Sequence, residues 1–262
     1  MSDQAAETAM ADALGLIATT PHLLVALDFD GTLSPTVDRP QEARALPDAQ
    51  DAVLRLAAMP HTSVALVSGR SLESLAHVGQ VPDSVLLVGS HGVEYRVDGA
   101  SDVALTDDEK ATRETIHRVL DEVAGSFENV HVEEKPAGFA LHTRLANGDD
   151  TAAAERLAQE RVASSTTGVT ERSGKDVLEF SVRSATKGDA VRRLRSITGA
   201  TAVLFAGDDV TDEDGFTALG AGDFGLKVGA GETAAAFRVD GPPEVAHLLD
   251  DLAELRAHLG RA

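Results

Sequence analysis

The stretch LLVALDFDGTL, residues 23–33, joins five apolar residues directly to a cluster of acids and a glycine. The apolar run at 23–27 is too short for a helix and is continuous rather than alternating, which is typical of a strand buried on both faces. Similar runs recur along the chain, at 63–67, 85–88, 202–206 and, more weakly, 224–228. Helical stretches separate most of them, at 47–58, 71–77, 186–197, 211–219 and 242–259. Alternating buried strands and helices predict an α/β fold with a parallel sheet.

The middle of the chain does not follow this alternation of buried strands and helices. There the pattern becomes helix, strand, strand, helix, strand, strand, with the strands at 130–134, 138–144, 169–172 and 176–182. Glu179 and Ser181 alternate with apolar neighbours, which indicates a sheet with one solvated face. We therefore expect residues 1–105 to form the first part of the main domain, 106–183 an α+β insertion, and 184–262 the second part.

The charge and composition of the chain narrow the classes of function. Its 262 residues are 43% hydrophobic and 25% charged, close to the globular average, which argues against extensive disorder. The formal net charge of −20 argues against nucleic acid and against an anionic membrane surface as partners. The absence of cysteine excludes disulfides and thiolate catalysis. Since we find neither a signal peptide nor an apolar stretch long enough to span a bilayer, we expect a cytoplasmic protein.

Acidic side chains follow two of the predicted strands. Asp28 and Asp30 come after the first strand, and Asp208 and Asp209 come after the strand at 202–206. Because ligands bind at the carboxyl ends of the strands in open α/β sheets, we expect these four carboxylates to converge. Their mutual repulsion requires a cation, and oxygen ligands without nearby His or Cys favour Mg²⁺. The alternative is that these residues only form the turns between strands and helices.

The same residues suggest phosphoryl chemistry. A carboxylate beside Mg²⁺, such as Asp28, can attack phosphorus, and Asp30 lies on the same side of the extended chain to handle the proton of the leaving group. Lys187 at the start of a predicted helix would neutralise charge on the phosphoryl oxygens, and Ser68 with Gly69 would seat them. The alternatives are a solvated surface lysine at 187 and an ordinary helix cap at Ser68.

Four segments resemble the motifs of a known superfamily. Residues 28–33 match the DxDGT(L/V) signature of haloacid-dehalogenase-type phosphohydrolases, and Ser68, Lys187 and the segment 207–212 match its remaining motifs in order. More narrowly, the chain is similar to the trehalose-6-phosphate phosphatases. The features that carry this similarity are Ser34-Pro35, Pro40, Gly89-Ser90-His91-Gly92, Glu133-Glu134-Lys135, His142, Arg144 and the run GDDVTDEDGF at 207–216. The resemblance covers residues 23 to about 240.

The resemblance implies a Rossmann-like parallel-sheet core with an inserted, mobile α+β cap of the αββαββ type. It implies that Asp28 is the nucleophile that becomes an aspartyl-phosphate, and that Asp30 protonates the departing sugar oxygen and then activates water. Asp28, the backbone carbonyl of Asp30, and Asp208 would hold Mg²⁺. Asp209 and Asp212 would support the metal ligands or orient Lys187. Ser68, Gly69 and Lys187 would bind the transferring phosphoryl group.

The resemblance also assigns sugar contacts to the cap. The residues concerned are Glu133, Lys135, His142, Arg144, Lys175 and, more weakly, Glu179. Glu134 is the alternative to Glu133 at this position of the motif. The alternative for the whole set is a charged face formed across neighbouring strands that binds no ligand. His91 follows a predicted strand and suits a structural position as well as a contact to the substrate.

Three functions remain open from the sequence. The first is an Mg²⁺-dependent phosphatase acting on trehalose 6-phosphate, the second a related phosphatase for sucrose phosphate or a mannosyl phosphate, and the third a sugar-phosphate sensor without catalysis. The expected partner is a small-molecule sugar phosphate in each case. The sequence does not reveal the oligomeric state, although a monomer is compatible with it.

Overall fold

The computed structural model of the chain describes residues 3–97, 100–102 and 105–259. The chain folds into two compact units, of which one joins Met1–Ser101 to Ala185–Ala262 and the other comprises Asp102–Ser184. We call them the main unit and the inserted unit. The first boundary precedes the one expected after residue 105, and residues 103–104, just before that expected boundary, lie outside the described residues.

Twelve strands and eight α-helices are present in the described part of the chain. The strands are β1 (Leu23–Leu27), β2 (Thr62–Val67), β3 (Leu86–Gly89), β4 (Glu94–Val97), β5 (Ala100–Asp102), β6 (His131–Lys135), β7 (Gly138–His142), β8 (Thr170–Gly174), β9 (Val177–Ser181), β10 (Ala202–Gly207), β11 (Phe224–Val228) and β12 (Phe237–Val239). The helices are α1 (Asp3–Ala18), α2 (Pro47–Ala57), α3 (Leu72–Gly79), α4 (Asp107–Ala124), α5 (Gly148–Ser165), α6 (Lys187–Thr198), α7 (Glu213–Thr217) and α8 (Pro242–Leu259). None of these helices is both long enough and apolar enough to cross a bilayer.

The main unit is built on an eight-stranded sheet in the order β12-β11-β10-β1-β2-β3-β4-β5. Strands β12 to β3 pair in parallel, and β4 runs antiparallel to β3. The predicted α/β class with a parallel sheet is therefore confirmed. The short strands β4, β5 and β12 were not predicted, because none of them contains a run of apolar residues.

The central position of β1 in the sheet explains why its sequence is continuously apolar. All five of its residues are buried. Leu23, Val25 and Leu27 belong to the apolar cluster on one face of the sheet, and Leu24 and Ala26 belong to the cluster on the other face. Because a strand points successive side chains to opposite faces, a strand covered on both sides has no position left for a polar residue.

The inserted unit has the element order α4-β6-β7-α5-β8-β9 and one antiparallel sheet, β6-β7-β9-β8. Phe139, Leu141, Leu178 and Phe180 pack against the two helices on one face. The opposite face carries the polar residues, as the alternation at 176–182 predicted. Strands β7 and β9 are shorter than the predicted 138–144 and 176–182, so that Arg144 lies in a turn and not in a strand. Lys175 lies in the turn between β8 and β9.

Gly138 provides a test of how closely the strands of the inserted unit pack. A Cβ atom added there would lie 1.9 Å from the backbone oxygen of Phe180, which cannot move without disturbing β9. We therefore expect Gly138→Ala to lower the free energy of unfolding by about 1–3 kcal/mol, measured by denaturant melting. The control is Gly148→Ala, where an added Cβ meets nothing within 4 Å. Equal stability of the two variants would contradict this account.

Candidate active site

Three aspartates meet where β1 and β10 end. The backbone N–H of Asp28 donates to the carbonyl of Ala206 at 2.9 Å, so that the ladder between the two strands continues up to the acid. Asp208 follows β10 directly, and Asp212 ends the 3₁₀ turn Val210–Asp212 that comes next. One carboxylate oxygen from each of Asp28, Asp208 and Asp212 lies within 4.8 Å of the others. We call these residues the acid cluster.

The membership of the acid cluster differs from the four carboxylates expected from the sequence. Asp212 belongs to it, whereas Asp30 and Asp209 have other partners. The exposed Asp209 side chain accepts from the N–H of Val210 at 2.7 Å and caps the 3₁₀ turn. Because that turn reverses the chain after β10, it points Asp212 back at Asp28 and leaves Asp209 outside.

Lys187 supplies the positive charge inside the acid cluster. Its ammonium donates to Asp28 Oδ1 and to Asp212 Oδ1, both at 2.7 Å, and its side chain is 3% exposed. It is the first residue of α6, which Thr186 caps through the N–H of Asp189. A buried lysine at this end of a helix is unfavourable unless carboxylates compensate it. The position therefore excludes the solvated surface lysine that the sequence left open.

Two glycines let the acids approach one another. Gly31 has a φ of +80°, and a Cβ atom there would lie 2.1 Å from Asp208 Oδ2. A Cβ atom at Gly207 would lie 2.2 Å from Asp212 Cγ. The Asp208 carboxylate therefore packs directly against the backbone that follows Asp30. This is the place where the carbonyl of Asp30 was expected to assist a metal.

The electrostatics of the acid cluster favour a bound cation. One ammonium cannot neutralise three carboxylates. Burial raises the pKa of Asp28 well above its ordinary value, although Lys187 opposes this. Burial and the neighbouring Asp212 raise the pKa of Asp208 to about 6. Burial by itself would lower the pKa of Lys187, but Asp28 and Asp212 hold it above its ordinary value. Closely spaced carboxylate oxygens whose ionised forms are destabilised are a donor set that fits a hard divalent cation such as Mg²⁺.

The loop after β2 forms the other wall of the site. Ser68 follows β2 and is buried, and its hydroxyl accepts from the N–H of Arg70 at 3.2 Å. The cap of α3 is Ser71 and not Ser68, so the helix-cap alternative for Ser68 is wrong. Ser68, Gly69 and His91 line a cavity of about 310 Å³ together with Asp28, Asp30, Lys187, Asp208 and Asp209. Of the residues expected at this site, Asp212 does not line the cavity and the others share it.

Arg70 is a feature that the sequence analysis missed. Its Nε donates to Asp30 Oδ2 at 2.5 Å and its Nη2 donates to Asp30 Oδ1 at 2.6 Å. Its guanidinium also lies 5.9 Å from the ring centroid of Phe29. Arg70 directly follows Ser68 and Gly69, but nothing in the local pattern showed that its side chain reaches the end of β1.

Lys227 was missed as well. It is buried in β11, and its ammonium donates to the backbone oxygen of Asp208 at 2.5 Å and lies 3.7 Å from Glu213 Oε1. The signal was a lysine inside the apolar run at 224–228. A charged residue in a fully buried strand requires a partner, and here the partner is the main chain of the acid cluster.

A second set of predicted residues lies on the polar face of the inserted unit. Glu133 accepts from Lys135 Nζ at 2.7 Å, and its other oxygen lies 2.7 Å from His142 Nε2. These contacts hold the pKa of Glu133 down at about 2, with the hydrogen bond to His142 as the largest cause. Glu134 points to the opposite face, where it pairs with Arg113 at 2.6 Å. Glu133 therefore shares a face of the sheet with Lys135 and His142, and Glu134 does not.

The other residues expected to contact sugar occupy different positions in the inserted unit. Glu179 is on β9 in the same cross-strand row as Glu133, through Ala140. Burial raises its pKa, while Lys135 opposes this. Arg144 and Lys175 are exposed in turns and have no place in the Glu133 hydrogen-bond network.

Known proteins share this architecture. The family model for trehalose-phosphatase matches residues 26–241. The bifunctional trehalose-6-phosphate synthase/phosphatase of Thermoproteus tenax is 34% identical over 240 residues, which cover 90% of this chain and 32% of that protein. The trehalose-phosphate phosphatase of Mycobacterium avium is 34% identical over 253 residues, covering 89% of this chain and 62% of that protein.

A solved structure agrees at the level of the fold. The C-terminal domain of C. albicans trehalose-6-phosphate phosphatase has a TM-score of 0.77 and 21% identity, and the match covers 94% of this chain and 96% of that one. The chain spans about a third of the T. tenax protein and less than two thirds of the M. avium protein. With a family model that matches most of its length, the chain belongs to the trehalose-phosphatase family.

Proposed function

We propose that this chain hydrolyses trehalose 6-phosphate to trehalose and phosphate, with Mg²⁺ and through an aspartyl-phosphate. The observation that carries the proposal is the acid cluster, in which a buried Asp28 is held by Lys187 beside Ser68 and opens into a shared cavity. The names of the relatives point to the same substrate. The cytoplasmic location stays a prediction.

In the first half of the reaction, a carboxylate oxygen of Asp28 attacks phosphorus and the bond from phosphorus to the sugar oxygen breaks. Lys187 and Ser68 bind the equatorial oxygens, on which negative charge accumulates in the loose transition state. Asp30 gives its proton to the departing sugar oxygen. Since both oxygens of Asp30 are hydrogen-bonded to Arg70, one of these bonds has to open for that proton to reach the leaving group.

In the second half, water attacks the phosphorus of the aspartyl-phosphate and Asp30 accepts the proton of that water. The bond between phosphorus and the Asp28 oxygen breaks, which releases phosphate and restores the carboxylate. Between the two halves Asp30 is ionised and both of its oxygens can accept from Arg70. The second half ends with the proton back on Asp30. The two halves therefore start from opposite protonation states of Asp30, while Asp28 carries the phosphoryl group from one to the other.

Asp28, Asp208 and the backbone carbonyl of Asp30 would hold Mg²⁺, and Asp212 would fix Lys187 beside them. When bound, the ion would offset the negative charge of the acid cluster and of the phosphoryl group. Lys227 keeps the main chain of Asp208 in place for this purpose.

The polar face of the inserted unit would bind the disaccharide. A sugar offers many hydroxyl groups, and charged side chains make the strongest hydrogen bonds to them. Glu133, Lys135 and His142 already form one network in which each side chain restrains the next. Glu179, in the same row, would extend it. We keep Arg144 and Lys175 as proposed contacts from the turns.

Phosphate release from a panel of phosphorylated mono- and disaccharides tests the substrate and the nucleophile together. We expect trehalose 6-phosphate to give the highest kcat/KM. Asp28→Asn should lower turnover by about 10³-fold or more, because an amide is a poor nucleophile. The control is Asp38→Asn, the same chemical change at an exposed position. A higher kcat/KM for sucrose phosphate or a mannosyl phosphate would assign a different substrate to the enzyme. Activity of Asp28→Asn within tenfold of wild type would refute the mechanism.

Asp208→Asn should have opposite effects on activity and stability. The variant should have no activity with Mg²⁺. A chelator should abolish the activity of the wild type until Mg²⁺ is added back. In chelator, the raised pKa of Asp208 means that the folded state gives up stability as pH rises from about 4 to about 6.

Removing that carboxylate should therefore raise the melting temperature at pH 7.5, by about 2–4 °C for each kcal/mol of relieved repulsion. The gain should shrink toward pH 4, where Asp208 is protonated in the folded state. A variant that melts below the wild type at pH 7.5 in chelator, or a wild type fully active in chelator, would count against the metal site.

Lys135→Ala should separate sugar recognition from phosphoryl chemistry. Since Lys135 lies on the polar face of the inserted unit, its loss should reduce kcat/KM for trehalose 6-phosphate about tenfold or more and leave p-nitrophenyl phosphate nearly unchanged. Lys110→Ala, at an exposed position on α4, is the matched control. Equal losses on both substrates would show that Lys135 supports the fold and not the sugar.

A further inference from the structure

Glu94 is a buried acid that the proposed reaction does not use. It begins β4 and is 5% exposed. A single oxygen, Oε2, accepts from the hydroxyl of Ser90 at 2.6 Å and from the backbone N–H of Leu72 at 3.1 Å. Leu72 is the first residue of α3, so its N–H lacks a partner within the helix, and a carboxylate is favourable at that end. These two hydrogen bonds fasten β4 to the start of α3 and to the turn Ser90–Gly92.

The turn Ser90–Gly92 needs such an anchor because its backbone is strained. Ser90 has a φ of +47° and His91 has a φ of +56°, in the left-handed region that residues with a Cβ atom avoid. Such a backbone conformation is unfavourable and persists only when its surroundings hold it. The 2.6 Å bond from Ser90 to Glu94 acts directly on the first of the two.

The same turn connects both halves of the phosphate site. The N–H of His91 donates to the carbonyl of Ser68 at 3.0 Å, and the His91 ring lies so close to Gly69 that an added Cβ would be 2.6 Å from Cε1. On the other side, a Cβ atom at Gly92 would lie 2.8 Å from the carbonyl of Thr186, the residue before Lys187. The turn is therefore packed between the Ser68 loop and the start of α6.

We propose that Glu94 is a positioning residue. By anchoring the turn Ser90–Gly92, it sets His91 and the Ser68 loop at their distance from Lys187, and so determines how tightly the phosphoryl group is bound. The inference rests on the proposed function, since it takes Ser68 and Lys187 as the groups that bind phosphate.

The geometry makes an unusual prediction about substitutions. Because one oxygen accepts both hydrogen bonds, the amide oxygen of Glu94→Gln can replace it, whereas Glu94→Met keeps the volume and removes the acceptor. We expect Glu94→Met to reduce kcat/KM about tenfold or more and to raise the inhibition constant of inorganic phosphate. Glu94→Gln should stay within about threefold of wild type. If Glu94→Gln loses as much as Glu94→Met, or if a folded Glu94→Met keeps wild-type constants, the inference is overturned.

A double-mutant cycle tests the route through His91. If Glu94 acts by placing His91, then Glu94→Met should have less than about a third of its effect in a His91→Ala background. If the effects of Glu94→Met and His91→Ala on kcat/KM are fully additive, Glu94 does not act through His91. Should Glu94→Met fail to fold, Ser90→Ala removes one of the two hydrogen bonds and should give an intermediate loss. A Ser90→Ala variant with wild-type constants would then overturn the inference.

A readout without catalysis separates this inference from the proposed function. The imidazole resonances of His91, assigned by their loss in His91→Ala, should shift in Glu94→Met and stay in place in Glu94→Gln. Unmoved resonances in Glu94→Met would overturn the positioning. Absence of turnover in the wild type, with the His91 shift present, would instead refute the proposed function alone.

Discussion

The active-site region depends on the repulsion among Asp28, Asp208 and Asp212 and on the one ammonium that offsets part of it. Lys187 lies between two of these acids at 2.7 Å and is almost completely buried. Removing a single partner from such a buried pair is strongly destabilising, because it leaves an uncompensated charge in a low dielectric. The remaining negative charge favours a divalent cation. The same electrostatic imbalance therefore destabilises the acid cluster by itself and provides a set of oxygen ligands that fits such a cation.

The parallel sheet is the device that brings these charges together. Since β1 and β10 are neighbours and run in the same direction, the residues after them emerge at one edge. The apolar clusters on both faces of the sheet stabilise this arrangement and offset the electrostatic repulsion among the acids at its edge. Gly31 and Gly207 lie where any side chain would collide with an acid. The glycines are thus a condition for the acids to meet, and not only turn residues.

Around this edge of the sheet, contacts between residues distant in sequence fix the side chains and loops that follow the strands. Arg70 holds Asp30, Lys227 holds the main chain of Asp208, and Glu94 holds the turn beside Ser68. Each is a charged group whose burial is tolerated because its hydrogen bonds are made. In the inserted unit, Glu133 restrains Lys135 and His142 in a comparable way. A ligand would meet side chains that are already oriented, which reduces the entropy lost on binding.

The sequence by itself determined the fold class and the strands at 23–27, 202–206 and 224–228, because buried strands are local patterns. It also determined the candidate acids that follow the first two of these strands. It also determined the two-faced character of the inserted sheet. Only the tertiary structure decided that Asp212 and not Asp209 joins Asp28, that Glu133 and not Glu134 meets Lys135, and that Arg70, Lys227 and Glu94 take part. The physical reason is that these pairings join residues whose contacts depend on strand register, on the reversal of a 3₁₀ turn and on glycine-sized gaps. None of these can be read from the spacing of residues along one stretch of chain.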